Sequence, residues 1–268
     1  MKKAVIFTGL VNIDKNLVGT AVIYNQIADI LVRKGYQVDM VVPKQPDLGK
    51  TGCKFYEYNK KNNEKLINKA TLVIFGAYPP TEPMIYAYKQ KKTIVTYLWS
   101  IAPVGSMEFK DYPDKRKQKN LHEYITASYN LSLLLSDKLF CRDEGVKKLI
   151  IGSLISLGRI NLDNYIRDKE LKNLVEVAPF GIDAKQAKHT KDVYRGVHEN
   201  IKKNDFLLIW NGGIWNWNDG ETLVRAMRIV KGKNIKLIFQ GFRHPDPNQK
   251  LSNEAKKTIN LANKLDLI

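Results

Sequence analysis

The chain has 268 residues, 44% hydrophobic and 26% charged, enough for one full core plus part of another, and this excludes a disordered polymer. Lys and Arg outnumber Asp and Glu by 44 to 27, a net charge of +17 that favours anionic partners; the basic residues are dispersed, and no RNP-like or zinc-finger pattern accompanies them, so nucleic acid is not an expected partner. No run of about 18 apolar residues occurs, Cys53 and Cys141 form no C-x-x-C pair, and the opening run Ala4-Val5-Ile6-Phe7 is too short for an export signal, so a reduced cytoplasmic setting is expected.

In chain order, residues 3–8 read as a strand. Val18-Gly19-Thr20 then opens a helix whose apolar stripe is Val22, Ile23, Ile27, Ile30 and Leu31, with Gly35 at its carboxyl end. Residues 38–42 are the next strand, completing a right-handed βαβ unit. Further strands are expected at 72–75, 93–99, 137–141 and 175–178, and helices at 81–91, 121–135 and 143–157. Residues 103–119 read as a long polar loop that includes the basic run Lys115-Arg116-Lys117-Gln118-Lys119. Six strands alternating with helices predict an α/β fold with an open parallel sheet.

Residues 184–204 are poor in aliphatics and read as a linker between a first domain, 1–183, and a second, 205–268. The second domain offers strands at 206–210 and 235–240 and helices at 219–230 and 248–264, an incomplete Rossmann-like unit. Two parallel strands leave an open edge, so a partner chain, self-association, the first domain or further polypeptide is expected to cover it.

Two candidate sites follow the two strands of that second unit. Gly212 and Gly213 form a strand-to-helix turn in which backbone N–H groups can approach a phosphate. Asp219 is placed to cap the next helix, with Glu221 in its first turn, and Trp215 and Trp217 suit stacking on a sugar or base, or packing between domains. Arg243 and His244 lie just past the other strand, where an Arg grips a diphosphate bidentately. No histidine has metal-ligand spacing, so no metal and no bound cofactor are expected. G-x-G-x-x-G, P-loop and G-x-S-x-G motifs are absent.

Four blocks read together carry a resemblance. They are Asn16-Leu17-Val18-Gly19-Thr20-Ala21, Glu176-Val177-Ala178-Pro179-Phe180-Gly181-Ile182-Asp183, the Trp-x-Trp-x-Asp block running from Trp210 to Asp219, and Ile238-Phe239-Gln240-Gly241-Phe242-Arg243-His244-Pro245. With Gly158-Arg159-Ile160-Asn161 they resemble bacterial glycosyltransferases of family 4, which have the GT-B fold. The resemblance implies two Rossmann-like domains facing across a cleft. It implies retaining, metal-independent transfer of a sugar from a UDP- or GDP-linked donor to a cell-surface glycan or lipid-linked acceptor, as in polysaccharide or lipopolysaccharide assembly. It assigns Gly212, Gly213, Trp215, Asp219, Arg243 and His244 to the donor, and Gly19, Thr20, Trp99 and Arg142 to the acceptor side; no catalytic residue is assigned. Peripheral association with the inner membrane face goes with such an acceptor. The family's Glu–seven residues–Glu element does not follow Arg243, so the resemblance also implies a chain that stops within the second domain. The alternative is a non-catalytic, transferase-like scaffold subunit that needs a partner chain.

Overall fold

The computed structural model describes residues 2–13, 19–46, 52–111, 114–182, 186–242 and 251–268. The chain forms two compact units, Met1–Ile182 and Asp183–Ile268.

The first unit is built on one seven-stranded sheet. Its strands are β1 (Lys3–Phe7), β2 (Gln37–Val42), β3 (Lys54–Glu57), β4 (Leu72–Phe75), β5 (Thr93–Leu98), β6 (Lys138–Cys141) and β7 (Val175–Val177). They run in the order β3-β2-β1-β4-β5-β6-β7, and every neighbouring pair is parallel. This is a doubly wound α/β sheet, whose order reverses between β1 and β4. Its central strands β1, β2 and β4 are largely apolar on both faces because both are covered. Ile6, Met40 and Ile74 point into one core layer, joined by Ala21 and Tyr24 of α1 (Gly19–Arg33) and by Val146, Ile150 and Leu154 of α6 (Glu144–Ser156). Val5, Phe7, Val41, Val73 and Phe75 point into the other, joined by Leu66 and Ile67 of α2 (Lys60–Lys69) and Met84 and Ala87 of α3 (Thr81–Lys89). There the Phe7 and Phe75 rings stack at 5.1 Å, a contact worth about 0.5–1.5 kcal/mol beyond its buried area.

Four expectations are corrected in this unit. The sheet has a seventh strand, β3, and a helix, α2, where the sequence pattern showed neither. β3 is an edge strand whose only half-buried side chains are Phe55 and Tyr56. In α2 the apolar stripe is just Leu66 and Ile67, and Asn63 is buried beside them. The supposed polar loop at 103–119 is ordered as α4 (Ala102–Gly105), a 3-10 turn (Ser106–Asp111) and the start of α5 (Lys115–Leu135). The basic run is therefore helical: Asp114 caps it by accepting from the N–H groups of Arg116 and Lys117. A short helix, α7 (Leu162–Arg167), is capped by Asn161 and buries none of its residues.

The second unit holds a parallel pair, β8 (Phe206–Asn211) and β9 (Ile235–Gln240), with α8 (Gly220–Ile229) and α9 (Asn253–Lys264). Both strands read as if buried on two faces, yet Phe206 is 61% and Ile209 48% exposed. The helices pack closely at one point: a Cβ on Gly220 would lie 2.4 Å from Thr258 Oγ1. The last helix begins at Asn253; residues 243–250 lie outside the described residues. Residues 186–205 contain no helix or strand, but Ile201 and Asp205 are buried, and the Asp205 carboxylate accepts from the Lys202 N–H. Among the described residues no helix is long and apolar enough to cross a membrane.

Candidate functional site

Ligands of open α/β sheets gather outside the carboxyl ends of the strands. In the first unit that edge is glycine-lined because aromatic side chains crowd it. A Cβ at Gly76 would stand 1.9 Å from Tyr24 Oη and 2.8 Å from the Trp99 ring. Gly9, at φ +61°, passes so close to the loop after β4 that a Cβ would sit 2.4 Å from the Tyr78 carbonyl oxygen. Tyr24, Tyr78 and Tyr97 each meet the Trp99 ring edge-on, at 5.9, 6.3 and 6.1 Å. Tyr97 Oη donates to the Ala178 carbonyl at 2.8 Å, and half-exposed Phe180 packs edge-on to the Tyr97 ring. Burial raises the Tyr24, Tyr78 and Tyr97 phenols above their ordinary value, Tyr24 farthest, so they stay protonated and serve as packing groups.

The residues expected on an acceptor side are placed in different ways. Trp99 is only 8% exposed: it is the hub under the edge, not a side chain on open surface. Gly19 and Thr20 begin α1; Gly19 is exposed and nothing lies within 4 Å of where its Cβ would be. Arg142 is exposed, and its Nε donates to the Asp143 carboxylate at 2.7 Å. That carboxylate caps α6 by accepting from the Val146 N–H. The Val146 amide and then Arg142 hold it below the usual carboxylate range.

In the second unit the loop from Asn211 to Asp219 brings Gly212, Gly213, Trp215 and Asp219 together at the carboxyl end of β8. Gly212 has φ +138° and Gly241, after β9, has φ +84°; a Cβ on Gly241 would lie 3.3 Å from the Gly212 carbonyl carbon. Glycine is required at both places by the positive φ, and at Gly241 also by the close approach. The Gly212 N–H donates to the Gln240 carbonyl at 2.9 Å, extending the ladder by one rung. Trp215 lies over Gly213 and stacks on Trp217 with centroids 5.8 Å apart and planes 21° from parallel. The pair faces outward, Trp215 42% and Trp217 64% exposed. Asn218 Oδ1 accepts from the Trp215 N–H at 2.6 Å and pins the turn.

The same loop caps both helices of the unit. Asp219 accepts from the Thr222 N–H and the Thr222 hydroxyl, which together hold its carboxyl below the usual range. Asn216 Oδ1 accepts from the N–H groups of Asn253 and Glu254, and Ser252 Oγ donates to the Ile214 carbonyl. Arg243 and His244 lie outside the described residues.

One pair escaped sequence reasoning. Ser106 Oγ and His122 Nδ1 are 2.6 Å apart, between the 3-10 turn and α5. The two are sixteen residues apart, and only the packing of the 3-10 turn on α5 joins them. Among the described residues no three His, Cys, Asp or Glu side chains are grouped to hold a metal ion.

No protein-family model matches the chain, and no curated protein matches it. Among solved structures, the Staphylococcus aureus MnaA–UDP co-structure is similar at 14% identity with a TM-score of 0.46, over 100% of this chain and 66% of that one. The calicheamicin glycosyltransferase CalG4 is similar at 12% identity with a TM-score of 0.34, over 94% of this chain and 69% of that one. The chain thus spans about two thirds of the length of each.

Proposed function

We propose that the chain is a nucleotide-sugar-dependent glycosyltransferase of the GT-B type, in which the second unit takes the donor and the first the acceptor. The observation that carries this is the outward-facing indole pair, Trp215 on Trp217, beside two positive-φ glycines at the carboxyl ends of parallel strands. An exposed aromatic stack is costly to keep in water and suits a sugar or a base. The glycines keep side chains away from the backbone a diphosphate would approach. Arg243, by its place in the sequence, supplies positive charge for the departing diphosphate without a metal ion, and His244 beside it adds a hydrogen-bonding ring. In this reading transfer proceeds with retention, to a cell-surface glycan or lipid-linked acceptor, on the cytoplasmic side of the membrane.

Titration with UDP-glucose and GDP-mannose, read by tryptophan fluorescence, tests the reading. Saturable quenching by one of them is expected, and Trp217→Ala weakens it about tenfold or more, in line with ~1–3 kcal/mol for one aromatic–base stack. Absence of saturable quenching by UDP, GDP or either sugar nucleotide refutes it.

A second reading, a non-catalytic transferase-like subunit bound to another chain, is favoured by the uncovered apolar side chains of β8, Phe206, Leu208 and Ile209. Stable self-association or partner capture without donor binding would establish it instead.

A further inference from the structure

The two indoles of the second unit are not equivalent. Gly213 is not at positive φ, so its backbone does not demand glycine. Space demands it: a Cβ there would lie 3.2 Å from Trp215 Cε2 and Nε1 and 3.4 Å from Cζ2. Near-equal distances to three consecutively bonded ring atoms put Gly213 above the indole face, not off its edge. Trp217 covers the other face of Trp215, in a stack with planes 21° from parallel. Trp215 is therefore filled on both sides. Trp217 has one face on Trp215 and is still 64% exposed, so its second face is the open one.

The pedestal under that face is fixed. Asn218 Oδ1 accepts from the Trp215 N–H, and Trp210 Nε1 donates to the Gly213 carbonyl at 3.4 Å. A ring positioned in advance loses little freedom when a flat ligand settles on it.

The polar groups beside Trp217 decide which kind of ring it takes. A pyranose laid on an indole is oriented by side-chain oxygens that accept its hydroxyl protons, whereas a nucleobase stacks through its π face alone. On this loop those oxygens are already committed. Asn216 Oδ1 accepts from the N–H groups of Asn253 and Glu254, and Asn218 Oδ1 from that of Trp215. Asp219 Oδ1 and Oδ2 accept from the Thr222 amide and hydroxyl. Each serves the loop and its two helices, so Trp217 presents a bare aromatic face with no neighbouring oxygen on the loop reserved for sugar hydroxyls.

We propose that the open face of Trp217 stacks the base of the nucleotide sugar, with Trp215 and Gly213 as its positioning residues; this rests on the nucleotide-sugar reading above. The indole pair then belongs to the nucleotide end of the donor, and the transferred sugar lies off the stack. Pyrimidine and purine are both accepted, because every base offers a π face. Discrimination between uracil and guanine does not come from this ring.

The test uses the whole chain, isothermal titration calorimetry and NMR, with UDP, GDP, UDP-glucose, GDP-mannose and glucose 1-phosphate as probes. Trp217→Leu is expected to weaken a nucleoside diphosphate and its sugar nucleotide by the same factor, about tenfold or more. Trp217→Phe, which keeps an aromatic face, restores most of the loss. Glucose 1-phosphate, which has sugar and phosphate but no base, shows no binding that depends on Trp217. Unchanged far-UV circular dichroism shows that each variant is folded. Independently of affinity, the base ring protons of bound nucleotide are expected to shift upfield over the indole face, and the anomeric proton is not. That shift shrinks in Gly213→Ala, where the added methyl group pushes Trp215 aside. A loss in Trp217→Leu for UDP-glucose or GDP-mannose but not for UDP or GDP puts the sugar on the indole and overturns the proposal. Nucleotide binding that ignores Trp217→Leu, or base protons that do not shift, overturns it too and leaves the transferase reading standing. Absence of binding by all four nucleotides instead sinks that reading, and the role of the stack with it.

Discussion

Replacing Gly76 by Ala adds one methyl group at the most crowded point of the first unit. Gly76 is not at positive φ, so alanine can adopt its backbone conformation, and the effect isolates space from strain. The new carbon would stand 1.9 Å from Tyr24 Oη and 2.8 Å from two Trp99 ring carbons, where van der Waals contact begins near 3.4 Å. Both neighbours are buried, and Trp99 is wedged among Tyr24, Tyr78 and Tyr97, so neither ring has room to swing aside. Overpacking of this kind costs about 1–3 kcal/mol. With a urea m-value of about 2 kcal/mol/M, the midpoint of the first unit's transition should fall by ~0.5–1.5 M. Tyr24→Phe removes the nearer clash and leaves the Trp99 one, so the double variant should recover part of the loss, a coupling of about 1 kcal/mol in the double-mutant cycle. Urea unfolding followed by far-UV circular dichroism measures all four proteins. A Gly76→Ala midpoint within 0.2 M of wild type, where roughly 0.5 M or more is expected, refutes the crowding argument and with it the placement of Trp99 beneath the edge.

Other outcomes follow from charges. Asp39 is buried in the middle of β2 with Oδ1 lacking a hydrogen-bond partner among the described residues, and burial raises its carboxyl despite Lys3, Lys54 and Lys69. A raised native value means the folded state binds the proton more tightly, so this group's destabilising effect grows as pH rises above its unfolded value. Asp39→Asn should therefore raise the urea midpoint at pH 7, and raise it less at pH 4. Asp219 is the opposite case: its depressed value gives stability that is present above the unfolded carboxylate range and is lost as pH falls through the native one. Asp219→Ala should lower the thermal midpoint of the second unit at pH 7 and nearly match wild type at pH 2, as differential scanning calorimetry would show.

How much was legible beforehand depended on which force held each element. Strands buried on two faces announce themselves as apolar runs, so β1, β2, β4, β5 and β6 were readable, and the glycine at the end of α1 marked its stop: Gly35 is at φ +82°. Elements held by edge pairing or capping were silent. β3 shows one aromatic pair, α2 is mostly Lys and Asn, and α7 buries nothing, so hydrophobic periodicity had no signal to find. The start of α5 was hidden because its charged first turns look like solvated loop until the Asp114 cap is seen. At the site, the capping role of Asp219 was written in its position before a helix, and the structure has it. The burial of Trp99 was not, since it depends on Tyr24 and Tyr78 arriving from two other segments to join Tyr97, on the strand that leads into Trp99. Nor was the Ser106–His122 pair, because a contact across sixteen residues depends on how the 3-10 turn packs on α5.

The loop that carries the two indoles is also the foundation on which two helices rest, through Asp219 for α8 and through Asn216 and Ile214 for α9. Its length is therefore not free to drift: a residue inserted or deleted between Gly213 and Asp219 would unseat both helices at once. Anything that levers Trp215 and Trp217 apart pulls on the same two footings, so occupancy of the indole stack would be felt as a change in rigidity along α8 and α9.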